Sequence, residues 1–214
     1  MLVVRNLGRV DYARVLTLQN ELHAARMEAR VPDQLLLVEH EPVYTLGRGA
    51  DSADLCGADV RLGVPVFRVS RGGGVTFHGP GQLVAYPIVE LTKAERDVHR
   101  YLRRLEDVII ATCADFGVTA HRHPNRTGVW LGDAKIASIG VGLRRWVTFH
   151  GAALNVTTDL SYFDAVVPCR MPGLQVTSLA RACDTAPTVQ TVGKALAARF
   201  CEVFDVNDVE EAAA

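Results

Sequence analysis

The chain has 214 residues, 49% of them hydrophobic and 22% charged, and 23 Lys and Arg nearly balance 24 Asp and Glu for a net charge of −1. That composition excludes a disordered chain, and near-neutrality argues against a dedicated nucleic-acid binder. No apolar run approaches the roughly 20 residues of a membrane span, the start MLVVRNLGRV lacks the apolar core of a signal peptide, and one domain over residues 1–214 is expected.

The first element is an amphipathic helix over Asp11–Arg30. Val15, Leu18, Leu22 and Ala25 recur at spacings of three and four, and Pro32 stops it. Leu35–Val38 reads as a short buried strand, Val43–Leu46 as another and Val64–Val69 as a third, while Asp51–Leu62 is ambiguous. A glycine-rich passage, Arg71 to Gln82, precedes an apolar strand over Leu83–Leu91. A second helix covers Asp97–Phe116, with Val98, Tyr101, Leu102, Leu105, Val108, Ile109 and Thr112 on one face, Glu106 elsewhere, and Gly117 as its cap. Strand-like runs follow at Val118–Ala120, Gly128–Leu131, Lys135–Leu143, Trp146–Phe149 and Ala152–Val156, with a turn at Gly132-Asp133. The last helix spans Thr188–Phe204, and the tail Glu211–Ala214 is expected to fray. Helix, strands, helix, strands, helix is the order of an α+β domain with a mixed or antiparallel sheet rather than a regular βαβ array.

Three passages resist a purely structural reading. Three consecutive glycines after Arg71 need positive φ or close backbone approach. The passage is neither a P-loop nor a dinucleotide fingerprint. Its bare N–H groups suit an oxyanion, Arg71 could hold a phosphate or carboxylate, and His78 could orient a group; a tight turn between strands is the plainer reading. Lys135 opens a run of small and apolar residues and shares a strand face with Ala137 and Ile139. Facing inward it would need a partner or a lowered pKa; at an edge it would reach solvent. Finally, His150-Gly151-Ala152-Ala153 leaves room for a ligand, or packs a strand densely on a helix.

The cysteines are Cys56, Cys113, Cys169, Cys183 and Cys201, with no C-x-x-C pair. A zinc site or disulfide framework is therefore unsupported, and the reducing cytoplasm is the expected compartment. His121-x-His123 has no third ligand nearby and reads as a surface loop, so no metal is expected. Cys169, flanked by Pro168 and Pro172, lies on a loop and is the nucleophile candidate; the other four read as packing.

Together, Arg71-Gly72-Gly73-Gly74-Val75-Thr76-Phe77-His78-Gly79-Pro80-Gly81-Gln82, Lys135-Ile136-Ala137-Ser138-Ile139-Gly140-Val141, Trp146, His150-Gly151, Asn155 and Pro168-Cys169 stand in the order of a known family. From about Leu35 to Leu179 the chain resembles the lipoyl(octanoyl) transferases, the lipoate-protein ligase B family. It departs at Arg170, where the family usually has glycine.

The resemblance implies an α+β sandwich like the catalytic domains of biotin and lipoate protein ligases. It implies transfer of an octanoyl group from the phosphopantetheine arm of octanoyl-acyl carrier protein to a lysine of lipoyl domains, those of 2-oxoacid dehydrogenases and the glycine cleavage H protein. The nucleophile maps onto Cys169 and the activating lysine onto Lys135. Substrate contacts map onto Arg71, Gly72, Gly73, Gly74, Val75, Thr76, Phe77 and His78, onto Ser138, Ile139 and Gly140, and onto Gly151, Ala152 and Ala153. No cofactor is implied, because thioester exchange is near neutral and thioester-to-amide conversion runs downhill. The alternative is an ATP-dependent lipoate or biotin-type ligase. With two acidic protein partners and no global field, attraction is expected from local arginines: Arg71, Arg144, Arg145 and Arg170.

Overall fold

Capping chemistry sets the helix boundaries. Asp11 accepts hydrogen bonds from Ala13 N and Arg14 N to open α1 (Tyr12–Met27), after β1 (Leu2–Val10). Apart from short helical turns at Ser52–Leu55, Lys93–Glu95, Ser161–Asp164 and Leu179–Ala182, the remaining elements follow in chain order as β2 (Asp33–His40), β3 (Val43–Leu46), β4 (Val66–Arg68), β5 (Val75–His78), β6 (Gln82–Ile88), α2 (Val98–Asp115), β7 (His121–His123), β8 (Arg126–Leu131), β9 (Ala134–Arg144), β10 (Val147–Asn155), α3 (Val189–Val203) and β11 (Val209–Ala212). Asp97 caps α2 through His99 N and Arg100 N, and Thr188 caps α3 through Thr191 N. The structure, a computed structural model, describes residues 1–57, 62–166 and 173–212.

Eight strands form one sheet in the order β11-β1-β2-β6-β10-β9-β8-β7, and β4-β3-β5 form a smaller one. In the large sheet β1 runs parallel to β11 and β2, and the other neighbours are antiparallel. The mixed α+β architecture is the one expected. Strand alternation divides the core between two faces. Leu83 and Ala85 of β6 pack towards α2 and α3, with Leu105, Ile109, Leu196 and Phe200. Val84, Tyr86 and Ile88 pack towards α1, with Val15 and Ala153. Fully burying each such aliphatic or aromatic side chain contributes about 1.5–3 kcal/mol.

Several expectations need correction. In α1 the buried residues are Tyr12, Val15, Gln19, His23 and Ala25, so Val15 and Ala25 are buried as expected, while Leu18 and Leu22 are only half-buried. Two polar side chains thus lie where the apolar periodicity places leucines, because they meet the β10 backbone: His23 Nε2 donates to Val147 O at 3.2 Å and Gln19 Oε1 accepts from His150 N at 3.1 Å. Glu106 is fully buried, not on the outer face of α2. Val118–Ala120 is not a strand; pairing begins at His121–His123, so that segment is β7 rather than a loop. The glycine passage contains a strand, β5, and β10 is one continuous strand. Trp146 belongs to the β9–β10 turn, where Arg145 and Trp146 both have positive φ (52° and 64°), the geometry of a type I′ hairpin. Residues 211–212, expected to fray, belong to β11 and pair with Val4 and Arg5 of β1. Among the described residues no helix is long and apolar enough to cross a membrane.

Candidate active site

The larger assembly of expected site residues meets at a cleft of about 490 Å³, open mouth included, on the α1 side of the large sheet. Arg71, Gly73, Gly74, Val75, Thr76 and His78 form one wall. Ser138, Ile139 and Gly140 of β9, with Gly151, Ala152 and Ala153 of β10, form another, and Lys135 stands at the same cleft. Two of the expected residues do not line it. Phe77 points the other way, its ring stacked 4.3 Å from Tyr162 in the core under the small sheet. Gly72 serves the framework: its N–H donates to Val141 O at 2.9 Å, which ties the loop to β9.

The glycines have the geometric reasons anticipated for them. Gly73 sits at φ +84°. A Cβ on Gly140 would lie 2.9 Å from Gly72 O and 3.1 Å from Arg71 Cδ, so β9 stays bare where the loop crosses it. Arg71 is buried, and its guanidinium donates to Gly72 O at 2.9 Å and to Thr45 O and Thr45 Oγ1 at 2.8 Å each. It organises the loop from inside, so its expected role in a surface patch is corrected; Arg144 and Arg145 are exposed.

Tyr12, Val84 and Tyr86 line the cleft from outside the family pattern, and His150, which stands in that pattern but not among the expected substrate contacts, lines it with them. They close its floor with an aromatic cluster. Tyr12 lies 5.1 Å from His40 and 6.1 Å from His78, ring to ring, and Tyr86 lies 6.3 Å from His150. The hydrogen bonds fix the sense of each ring. Val10 O can only accept, so His40 donates to it from Nδ1 (3.0 Å) and accepts the Tyr86 hydroxyl at Nε2 (2.9 Å). Burial lowers the pKa of His40 and of His150 to about 4, and that of His78 well below the usual range, with the neighbouring His40 adding to the shift. Burial likewise pushes the Tyr12 phenol up to about 12. The floor is therefore polar in outline but uncharged at neutral pH. His150 itself has φ +55°, a conformation costly for a non-glycine residue, and the Gln19 bond to its N–H holds it there.

Lys135 is buried, at 4% exposure, so it is not an edge lysine reaching solvent. Its main chain pairs with Trp130 of β8 across a bulge. The ammonium lies 5.6 Å from the centre of the Trp130 ring, over its face. On the far side its N–H donates to Gln175 O and its carbonyl accepts from Thr177 N, both at 2.9 Å. Room for its stem comes from Gly128. A Cβ there would stand 2.5 Å from Lys135 Cε and 2.7 Å from Ala137 O, and Gly128 adopts φ +128°. Gly128 N in turn donates to the buried Glu106 carboxylate at 3.0 Å, which also takes Arg103 at 2.8 Å and Arg122 at 3.1 Å. Gly128→Ala is expected to cost about 1–3 kcal/mol of stability through overpacking and to lower turnover by displacing the Lys135 stem. Urea melts with steady-state assays check both, and wild-type values would show slack at this position.

Cys169, with Pro168 and Arg170, lies outside the described residues. The described cysteines separate as follows. Cys113 is buried and its thiol is pushed up to about 12 by burial. Cys183 and Cys201 are half-buried against the core. Cys56 is exposed, so the expectation that it packs is corrected. Among the described residues no cluster of His, Cys, Asp or Glu forms a metal site.

Comparison with known proteins agrees with the fold. Residues 11–201 match the family model "Lipoyl protein ligase A/B catalytic domain". The chain is 49% identical over 205 residues to an octanoyltransferase of Solibacter usitatus, covering 94% of this chain and 92% of that one. Its backbone is similar to that of a bipartite lipoate protein ligase from Thermoplasma acidophilum (TM-score 0.79, 19% identity, 100% of this chain and 88% of the other). It is also similar to a biotin protein ligase from Aquifex aeolicus (TM-score 0.54, 11% identity, 96% and 69%).

Proposed function

The chain belongs to the octanoyltransferase family of lipoyl protein ligase A/B catalytic domains, and on that premise we propose that this acyltransferase moves an octanoyl group from acyl carrier protein, through a Cys169 thioester, to a lysine of lipoyl domains. The observation that carries this reading is Lys135. It is a buried lysine at the cleft lined by the expected substrate residues, and its main chain is bonded to Gln175 and Thr177, shortly after Cys169 in the chain.

The chemistry runs in two halves. A free thiol titrates near about 8.5, so an ammonium beside Cys169 favours the thiolate. The thiolate attacks the octanoyl thioester carbonyl while N–H groups of the glycine loop stabilise the oxyanion. The C–S bond to phosphopantetheine breaks, and the departing thiolate takes a proton from the Lys135 ammonium. Lys135 is now a neutral amine. The target lysine, having lost one proton to water, attacks the Cys169 thioester, and Lys135 takes its second proton as the amide forms. Cys169 leaves as thiolate, which restores the starting pair. Arg71, Gly73, Gly74, Val75, Thr76, His78, Ser138, Ile139, Gly140, Gly151, Ala152 and Ala153 bound the acyl slot in this scheme. Each buried CH₂ contributes about 0.8 kcal/mol, so slot depth reads chain length.

The acceptors are lipoyl domains of 2-oxoacid dehydrogenases and the glycine cleavage H protein. The reducing cytoplasm, where a catalytic thiol stays free, is the compartment this chemistry requires. Incubation with octanoyl-acyl carrier protein should add one octanoyl group, located at Cys169 by peptide mass mapping. An adduct elsewhere, or turnover of free octanoate only with ATP, would overturn the reading in favour of a ligase.

A further inference from the structure

Behind His78 of the cleft two buried amides face each other, and neither takes part in the chemistry above. Gln82 opens β6 and Asn155 closes β10; they are direct partners in the antiparallel register, 1% and 4% exposed. Gln82 Nε2 donates to Asn155 Oδ1 at 2.9 Å and to Phe77 O at 3.2 Å, and Gln82 Oε1 meets His78 Nδ1 at 2.8 Å. Asn155 Nδ2 donates to Thr177 O at 3.0 Å. Thr177 N donates to Lys135 O at 2.9 Å, and Lys135 N to Gln175 O at 2.9 Å.

The direction of every bond is forced. Phe77 O and Thr177 O are carbonyls and only accept, so both amide NH₂ groups point at them. Asn155 Oδ1 is then left to accept from Gln82, and Gln82 Oε1 to accept from His78 Nδ1–H. His78 consequently presents Nε2 as a bare acceptor. One unbroken series thus runs from a residue of the acyl cleft to the main chain of the acid–base lysine.

The topology shows why a side chain is needed there. Pairing of β10 with β9 runs out at Leu154↔Ala137. Beyond that point the edge of β9 is taken by the segment 175–177, which forms a parallel bridge with Lys135 through Val176. Among the described residues no β10 main-chain group is hydrogen-bonded to the 175–177 segment, and the Asn155 side chain closes the gap. We propose that Gln82 and Asn155 are positioning residues. They hold the 175–177 segment in register with Lys135, fix the sense of His78, and so couple the acyl cleft to the lysine. The inference rests on the Cys169–Lys135 reading.

The test measures kcat and KM for octanoyl-acyl carrier protein and the pH profile of Cys169 alkylation, resolved by peptide, in Asn155→Leu, with Lys135→Met as reference. Asn155→Asp, which keeps the acceptor for Gln82 but sets an oxygen against Thr177 O, serves if the leucine variant does not fold. Expected are a roughly 10- to 100-fold loss in kcat with KM within about threefold, and an alkylation midpoint moved in the direction of Lys135→Met. A variant that is less stable yet keeps wild-type kcat and midpoint, while Lys135→Met shifts, overturns the positioning role alone. A Lys135→Met profile identical to wild type overturns the dyad, and the coupling to it falls as well.

Discussion

Lys135→Met is expected to lower octanoyl transfer by roughly 10²–10⁴-fold, the range of a lost general acid–base group, with the fold intact. Methionine approximates the length and shape of the stem that Gly128 accommodates. Both halves of the reaction should slow, since the same nitrogen gives a proton to the departing thiolate and takes one from the incoming amine. The midpoint of Cys169 alkylation should move up towards the ordinary thiol range. Cys169→Ala should abolish transfer outright. Lys135→Arg slows the two halves unequally: a guanidinium stays protonated throughout, so it can support the thiolate but can neither give a proton nor take one. The departing phosphopantetheine thiolate can still leave and take its proton from water, whereas the second half lacks its base, and octanoyl-enzyme should accumulate without amide. Rapid-quench mass spectrometry reads the accumulation. Amide formation at the wild-type rate in Lys135→Met would remove the lysine from the mechanism.

The parts of the molecule legible in the sequence are those whose signals are local. Asp97, Gly117 and Thr188 mark the ends of α2 and the start of α3 because a cap is a contact between neighbours in the chain. The glycine triplet announced a loop in close approach, and the β9 partner that it approaches, Val141, lies far away in sequence. What stayed hidden depends on tertiary partners. Gln19, His23 and Glu106 are polar, so hydrophobic periodicity assigns them to solvent; they are buried because each satisfies a backbone group of a distant element: His150 N, Val147 O and Gly128 N. β11 reads Val-Glu-Glu-Ala, with no alternation, and is a strand because β1 offers an edge. The same limit applies within the site. Tyr12 opens a helix and Tyr86 sits mid-strand, and only the packing of α1 on β6 and β10 brings them to one cleft. The framework role of Arg71 was masked by its chemistry, which suits an anion equally well until Thr45 is seen to accept its hydrogen bonds.

Acid should unfold the protein before its carboxylates protonate. His40 and His150 are buried and neutral, with pKa values lowered to about 4 by burial, and His23 and His78 are shifted in the same direction. Unfolded, each returns to about 6.5, so between those values the unfolded chain binds more protons than the native one. Stability is then fully present above about pH 6.5 and falls as pH drops towards 4. At pH 5 the loss is roughly 2 kcal/mol for each of His40 and His150, large against a domain's total of about 5–15 kcal/mol. The carboxylates lowered by hydrogen bonding, Glu95, Asp115 and Asp159, act in the same sense but mostly below about pH 5, so the interval from 6.5 to 5 belongs to the histidines. Urea melts across it should show ΔG falling with a slope near 1.4 kcal/mol per pH unit for each proton difference. His40→Gln, which keeps a donor for Val10 O but does not titrate, should reduce that slope by about one proton. A ΔG unchanged from pH 7.5 to 5 would mean that these rings are hydrated or already charged in the native state. The neutral hydrogen-bonding sense assigned to the cleft floor would then be wrong.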